Sequence, residues 1–177
     1  MEHTIIEIKV KVFGNDAKIK IREILRDNNA EFRGLDIQTD TYFNIPKGRL
    51  KIRRGNIENY LIYYERENNK GPKKSDVICI DSPSLELEKL LKSALGILIK
   101  VNKKREIYYI ENVKFHIDDV VGLGKFFEIE AIGENHERSK LKKQCEYYMS
   151  LLGIDQSILI SESYSDLLKQ KKKKEEK

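Results

Sequence analysis

The feature that most constrains this chain is a repeated alternation in which one side of a segment is apolar and the other carries charge of one sign. In Arg49-Leu50-Lys51-Ile52-Arg53 the three cations share one face and Leu50 and Ile52 the other, the period of a half-buried strand. At ~3.4 Å per residue those cations fall within roughly 14 Å of one another, close enough to repel. Lys9 and Lys11 repeat the arrangement against Ile6, Ile8 and Val10, Lys103 and Arg105 repeat it again, and Arg66 closes a further strand. The acids segregate too: Glu128 and Glu130 share a face, Glu7 lies on the face of Lys9, and Lys114, His116 and Asp118 share another. Alternation in any single strand also fits the solvent face of a sheet packed on helices. A face built for solubility would mix signs, however, and here several strands fail to. If the sheet curls so that these faces look inward, it encloses cationic rows opposite a carboxylate cluster. The complementary ligand is a metal-bound polyphosphate.

The rest of the sequence supplies elements for one such sheet. A chain of 177 residues suits a single domain. Residues 5–13 predict a strand, and further strands are expected at 38–43, 49–54 and 59–66, the last two joined across Gly55-Asn56. The stretch 98–132 predicts three long strands with turns at Glu111-Asn112 and Gly122-Leu123-Gly124. Helices are expected after Gly14, capped by Asn15 or Asp16, and from Ser84 to Gly96 with Leu87, Leu90, Leu91, Ala94 and Leu95 on one face. A third is expected over 137–152, with Leu141, Cys145, Tyr148, Met149 and Leu152 aligned. After Ser163 a short helix should pass into a frayed basic tail over 169–177, leaving one domain at 1–168. With no internal repeat, the inventory is α+β, about eight strands and three or four helices.

Several function classes recede. Cys79 and Cys145 are far apart with no CxxC spacing, so neither a disulfide framework nor a zinc site follows, and both read as structural. No apolar run approaches the ~18 residues of a membrane span, and a cytoplasmic protein is the expectation. The net charge of +5 resides partly in the terminal lysines, which read as solvated rather than as a nucleic-acid or membrane contact. Tyr42, Tyr63 and Tyr64 fit core or cross-strand positions better than a base-stacking platform, and a lone His116 in a strand is more often structural than catalytic. Asp118 is a candidate second carboxylate near a metal, or a proton acceptor, or the partner of a neighbouring cation.

The segments IIEIK at 5–9, QTDTYFNIPKGRLKIR at 38–53, LIYYER at 61–66, GPKKSD at 71–76, VNKKR at 101–105, HIDDVVGLGKFFEIE at 116–130 and SYSDLL at 163–168 occur in one order along the chain. Together they resemble CYTH proteins, the family of class IV adenylyl cyclases and thiamine triphosphatases, in the cyclase-like branch. The first segment matches the family's ExExK signature, except that Ile5 stands where the first glutamate is expected. The resemblance implies a closed eight-stranded antiparallel tunnel with helices packed outside. Lys9, Lys11, Lys51, Arg53, Arg66, Lys103 and Arg105 would grip phosphate oxygens, Glu7, Glu128 and Glu130 would hold Mg²⁺ or Mn²⁺, and Lys9 and Asp118 would act in catalysis. The partner would be a nucleoside triphosphate or another triphosphate, turned over by cyclisation or hydrolysis or merely bound. A homodimer is compatible with the resemblance. Replacing Ile5 by glutamate is expected to tighten Mn²⁺ binding or raise turnover; unchanged affinity and rate in a folded variant would remove position 5 from the metal site.

Overall fold

The structure is a computed structural model that describes residues 1–66 and 71–176. Its strands are β1 (Glu2–Lys11), β2 (Glu31–Phe43), β3 (Arg49–Arg54), β4 (Tyr60–Arg66), β5 (Lys73–Asp81), β6 (Ile97–Ile110), β7 (Val113–Val120) and β8 (Gly124–Gly133). They close into one barrel in the order β1-β5-β4-β3-β2-β6-β7-β8, every neighbouring pair antiparallel. Among the described residues four α-helices lie outside the ring of strands: α1 (Gly14–Asp27), α2 (Leu85–Leu95), α3 (Arg138–Leu151) and α4 (Tyr164–Glu175). The α+β inventory and the closed antiparallel tunnel expected from the sequence are therefore present.

Closure sorts the alternating residues. On β1, Ile6, Ile8 and Val10 face outward, where they join Phe115, Ile117, Phe127 and Ile129 of β7 and β8 beneath Leu141, Cys145 and Met149 of α3. This outer core, completed by Leu25 of α1, buries the apolar half of β1, β7 and β8. The charged half is thereby turned into the barrel, where Lys9, Lys51, Lys103 and Arg105 are all buried. A second apolar cluster, with Tyr42, Tyr64, Val77, Val101, Val120 and Phe126, fills one end of the interior, and Tyr164 of α4 packs into it. That end of the tunnel is stoppered by the chain's last helix.

Some boundaries depart from the sequence expectations for identifiable reasons. β2 begins seven residues earlier than expected, at Glu31, because a bulge at Phe32/Gly34 lets the chain continue pairing with β6, and Gly34 takes φ +129° there. β5 was not expected at all: its inward face reads Lys73, Ser75, Val77, Cys79, half polar and half apolar, so hydrophobic alternation is blurred. The turn after β3 spans residues 55–59 rather than Gly55-Asn56 alone. The Asp36 carboxylate accepts from the backbone N–H of Ile57 and Glu58 and folds that turn over the barrel. Neither Asn15 nor Asp16 caps α1; Phe13 holds the cap position, without a side-chain hydrogen bond. Ser84 does cap α2, accepting from the Leu87 N–H. The aligned leucines of α2 are not core, however: Leu90 is 60% exposed and the helix has no buried residue. Finally, the lysine run 171–174 is helical, not frayed: α4 continues to Glu175, and Lys171 donates to the Gly122 carbonyl.

Because α3 seals the outer core through fully buried Leu141, Leu141→Ala should lower unfolding free energy by about 2–5 kcal/mol in urea titrations. A loss under about 1 kcal/mol would show that the helix is dispensable to the core.

Candidate functional site in the barrel interior

The inward side chains of β2, β3 and β6 meet on one carboxylate. Asp40 accepts from Lys51 Nζ at 2.9 Å, from Lys103 Nζ at 2.8 Å, and from Arg53 through Nε at 2.8 Å and Nη2 at 3.0 Å. Strand register explains the meeting, since Asp40 pairs with Arg53 across β2–β3 and Gln38 with Lys103 across β2–β6. Despite burial, these cations hold the Asp40 carboxyl well below its usual range. One carboxylate cannot balance three cations, and the imbalance appears on Lys103. Burial and the nearby Arg53, Arg105 and Lys51 outweigh Asp40 and lower its ammonium to about 7.

A second group lies on β1, β4 and β5. Arg66 pairs with Glu7, and Lys73 Nζ stands 3.8 Å from the same carboxylate. Their other donors go to neutral backbone: Lys73 Nζ to the Ile160 carbonyl at 2.5 Å, Arg66 Nη2 to that of Ser161 at 3.3 Å, and Lys9 Nζ to that of Glu162 at 3.1 Å. The segment leading into α4 thus lays a row of carbonyl oxygens across three inward cations. Burial lowers Lys73 to about 8 in spite of Glu7. A cavity of about 710 Å³ opens beside this row, bordered by Arg49, Arg66, Lys73, Lys74, Arg138 and Lys169.

The third group comes from β6, β7 and β8. Asp118 takes both arms of Arg105, at 2.7 and 2.5 Å, and also accepts from the Tyr164 hydroxyl at 2.8 Å. Its role in the structure is to orient Arg105 and anchor α4, and Arg105 holds its carboxyl below the ordinary value against the effect of burial. Glu128 receives Arg105 at 2.7 Å and Lys9 at 3.2 Å. His116, fully buried, places Nδ1 3.4 Å from Glu128 and 3.6 Å from Glu130, and these three residues form a cluster able to hold a metal ion. Burial, with Arg105 nearby, lowers the His116 pKa.

Of the residues singled out from the sequence, the fold brings Glu7, Lys9, Lys51, Arg53, Arg66, Lys103, Arg105, Asp118, Glu128 and Glu130 to the barrel interior. Lys11 stays exposed at the rim, its ammonium 5.9 Å over the Phe126 ring. Glu7 turns to Arg66 rather than to the glutamates of β8, and His116 takes its place in the donor cluster. Asp40, Glu58 and Lys73 were not anticipated, and Lys114, expected only to share a face with His116 and Asp118, enters the interior as the partner of Glu58. Glu58 sits in the turn after β3, where it pairs with Arg53 and Lys114, and no strand period could mark it. Asp40 did have a signal: Asp36, Gln38, Asp40 and Tyr42 alternate within one segment.

The CYTH domain family matches residues 3–164, and the chain belongs to that family. A protein of Methanocaldococcus jannaschii, provisionally named an adenylate cyclase, is 30% identical over 172 residues, 92% of this chain and 97% of the relative. Among solved structures, a Pyrococcus horikoshii protein is 27% identical with a TM-score of 0.73, covering 94% of this chain and 99% of its own. A Pyrococcus furiosus protein is 25% identical with a TM-score of 0.75, covering 92% of this chain and 99% of its own. Among the described residues no helix is long and apolar enough to cross a membrane.

The lowered ammonium groups of Lys103 and Lys73 carry a sign. The unfolded chain binds protons there that the folded chain has released, so stability should rise from pH 7 towards about pH 9. Urea unfolding across that window should show the slope, and Lys103→Met should flatten it.

Proposed function

We propose that this protein is a metal-dependent enzyme that takes a triphosphate into the barrel, in the manner of a class IV adenylate cyclase forming cyclic AMP and pyrophosphate from ATP. The observation that carries the reading is the convergence of Lys51, Arg53 and Lys103 on the single carboxylate of Asp40. The cations under the 160–162 carbonyls support it, because neutral carbonyls are weaker acceptors for Lys9, Arg66 and Lys73 than phosphate oxygens would be. The family membership and the name of the M. jannaschii relative agree with it.

The chemistry asks little covalent work of the protein. In cyclisation the ribose 3′-hydroxyl gives its proton to water as its oxygen bonds to the α-phosphorus, the bond from that phosphorus to the bridging oxygen breaks, and pyrophosphate leaves with the electron pair. Buried lysine and arginine side chains offset the charge that develops on the transferring and leaving groups, and a dry interior strengthens them. Lys51, Arg53 and Lys103 on one wall and Lys9, Arg66 and Lys73 on the other would divide the phosphate chain between them. Arg105 is pinned by Asp118 and offers a fixed planar donor set. Asp118 already serves Arg105 and Tyr164, which makes it a positioning group more readily than a proton acceptor. The residues fit a divalent cation: His116 Nδ1 and the carboxylates of Glu128 and Glu130 present converging donors. When bound there, Mg²⁺ or Mn²⁺ would supply Lewis-acid polarisation of phosphate oxygens.

A second reading, a binding module without turnover, is favoured by Ile5 at the first signature position, which removes a carboxylate from β1. Phosphorus NMR with ATP, thiamine triphosphate and tripolyphosphate, each with Mg²⁺, Mn²⁺ or chelator, separates the possibilities. Cyclic AMP and pyrophosphate are expected; release of terminal phosphate would make the protein a triphosphatase, and line broadening without product would make it a binder.

Lys51→Ala and Arg53→Ala should each weaken tripolyphosphate binding by roughly 10-fold or more, the scale of a charge-assisted hydrogen bond. Lys171→Ala, on the outer face of α4, should leave calorimetric affinity unchanged at fixed salt. Equal losses in all three would contradict the interior assignment.

A further inference from the structure

β7 and β8 pair so that His116 stands directly across from Glu128, while Glu130 is the next inward residue along β8. Register places each of these beside other charged groups. Glu130 lies across from Lys114 on β7 and from Glu7 on β1. Neither neighbour serves it, because Lys114 turns to Glu58 and Glu7 turns to Arg66. Among the described residues Glu130 makes no ion pair with a lysine or arginine; its near polar neighbour is the His116 ring.

That ring is poorly satisfied, for its one hydrogen bond, between Nδ1 and Glu128 Oε2, is long. Nδ1 is 3.4 Å from Glu128 Oε2 and 3.6 Å from Glu130 Oε1, longer than the ~2.7–3.2 Å of a sound N–H···O bond. Nε2 is buried with no protein partner. A neutral imidazole has one donor nitrogen and one acceptor nitrogen. If Nδ1 is the acceptor, its lone pair faces two carboxylates; if it is the donor, it spans both at poor length. A cation among the three groups removes the conflict. The separations also suit one: ligand atoms about 2.1 Å from a tetrahedral ion lie roughly 3.4 Å apart. On β1 the residue that could have contributed oxygen from the next inward position is Ile5, which packs among apolar side chains instead.

We propose that His116 is the third protein ligand of the metal site, joining Glu128 and Glu130 where Ile5 withholds a carboxylate, and that the site therefore selects a first-row transition ion over Mg²⁺. The inference rests on the metal-dependent reading above and specifies its ligand set and metal class. Two carboxylates with waters would suit Mg²⁺ or Ca²⁺, hard cations that prefer oxygen. Exchanging one oxygen for an imidazole nitrogen favours Mn²⁺, Co²⁺ or Zn²⁺, since nitrogen ligation follows the order of increasing affinity across the first row. The nitrogen comes from a strand rather than a loop, so its position is set by barrel register.

The test uses the full chain and metal alone, without triphosphate. Chelator-treated protein is titrated with Mn²⁺ by electron paramagnetic resonance, with Mg²⁺ as competitor, and bound Mn²⁺ is examined by electron spin-echo modulation for nitrogen coupling. Expected are a nitrogen coupling, Mn²⁺ binding at least about 10-fold tighter than Mg²⁺, and a comparable loss of Mn²⁺ affinity in His116→Gln and Glu130→Gln. Absence of nitrogen coupling, equal affinity for the two ions, no Mn²⁺ binding, or unchanged binding by folded His116→Gln would each overturn the proposal. Should that variant fail to fold, the coupling in the wild-type protein decides the matter. Tripolyphosphate binding in chelator, measured alongside, reports on the triphosphate reading independently, so either can fail while the other stands.

Discussion

Every lysine and arginine that this chain points into its barrel must find an anion, because an uncompensated charge away from water costs several kcal/mol. Asp40 is the hub of that requirement. It lies on β2, yet its partners come from β3 and β6 on either side, so one carboxylate ties three strands at a single depth in the barrel. Arg53 extends the net to Glu58, and Glu58 to Lys114 on β7. A second set of ion pairs joins Arg105 to Asp118 and Glu128, and Glu128 to Lys9 on β1. The ion pairs therefore follow the wall of the barrel much as the backbone ladder does. Neutralising any member leaves its neighbours as buried charges, which is why the interior is both a structural element and a site.

The same network explains what makes the interior receptive. Cations that share a counter-ion, or that lean on peptide carbonyls, are held in place without being fully balanced. Lys103 registers this as an ammonium group depressed by burial and by the competing charges of Arg53, Arg105 and Lys51, although it stands next to a carboxylate. Under the proposed function the candidate site would be pre-organised for an anion, in the sense that the geometry already exists and only electrostatic compensation is missing.

The parts of this design legible in the sequence were those governed by strand period. Lys9, Lys51, Arg53, Lys103 and Arg105 announced themselves because each alternates with an aliphatic residue destined for the outer face. What escaped detection was contributed without periodicity or with a diluted one. Glu58 reaches the interior from a turn whose shape depends on backbone hydrogen bonds donated to Asp36, 22 residues away. Lys73 sits on a strand whose inward row changes from polar to apolar part way along, matching an interior that is charged in the middle and apolar near α4. The α2 leucines misled in the opposite direction: their spacing is helical, but helical spacing says which residues share a face and not whether anything covers it. His116 belongs to a third case. Its strand and its inward direction were readable, and its importance rests on which neighbours turn away from Glu130, a matter of competition among side chains that no one-dimensional pattern contains.

β1 occupies an unusual place in the ring, between β5 and β8, with Glu7 opposite Lys73 on one side and Glu130 on the other. β1, the first strand of the barrel in chain order, therefore waits for β8, the last, before its second edge is paired. Contacts so distant in sequence are reached late and slowly during folding, since a long loop must close before they form. Throughout that interval β1 would present an open edge to other chains, and the charges it carries at Glu7, Lys9 and Lys11 discourage such pairing. Charges that end up inside or at the rim of the finished barrel would thus also guard the folding chain against aggregation.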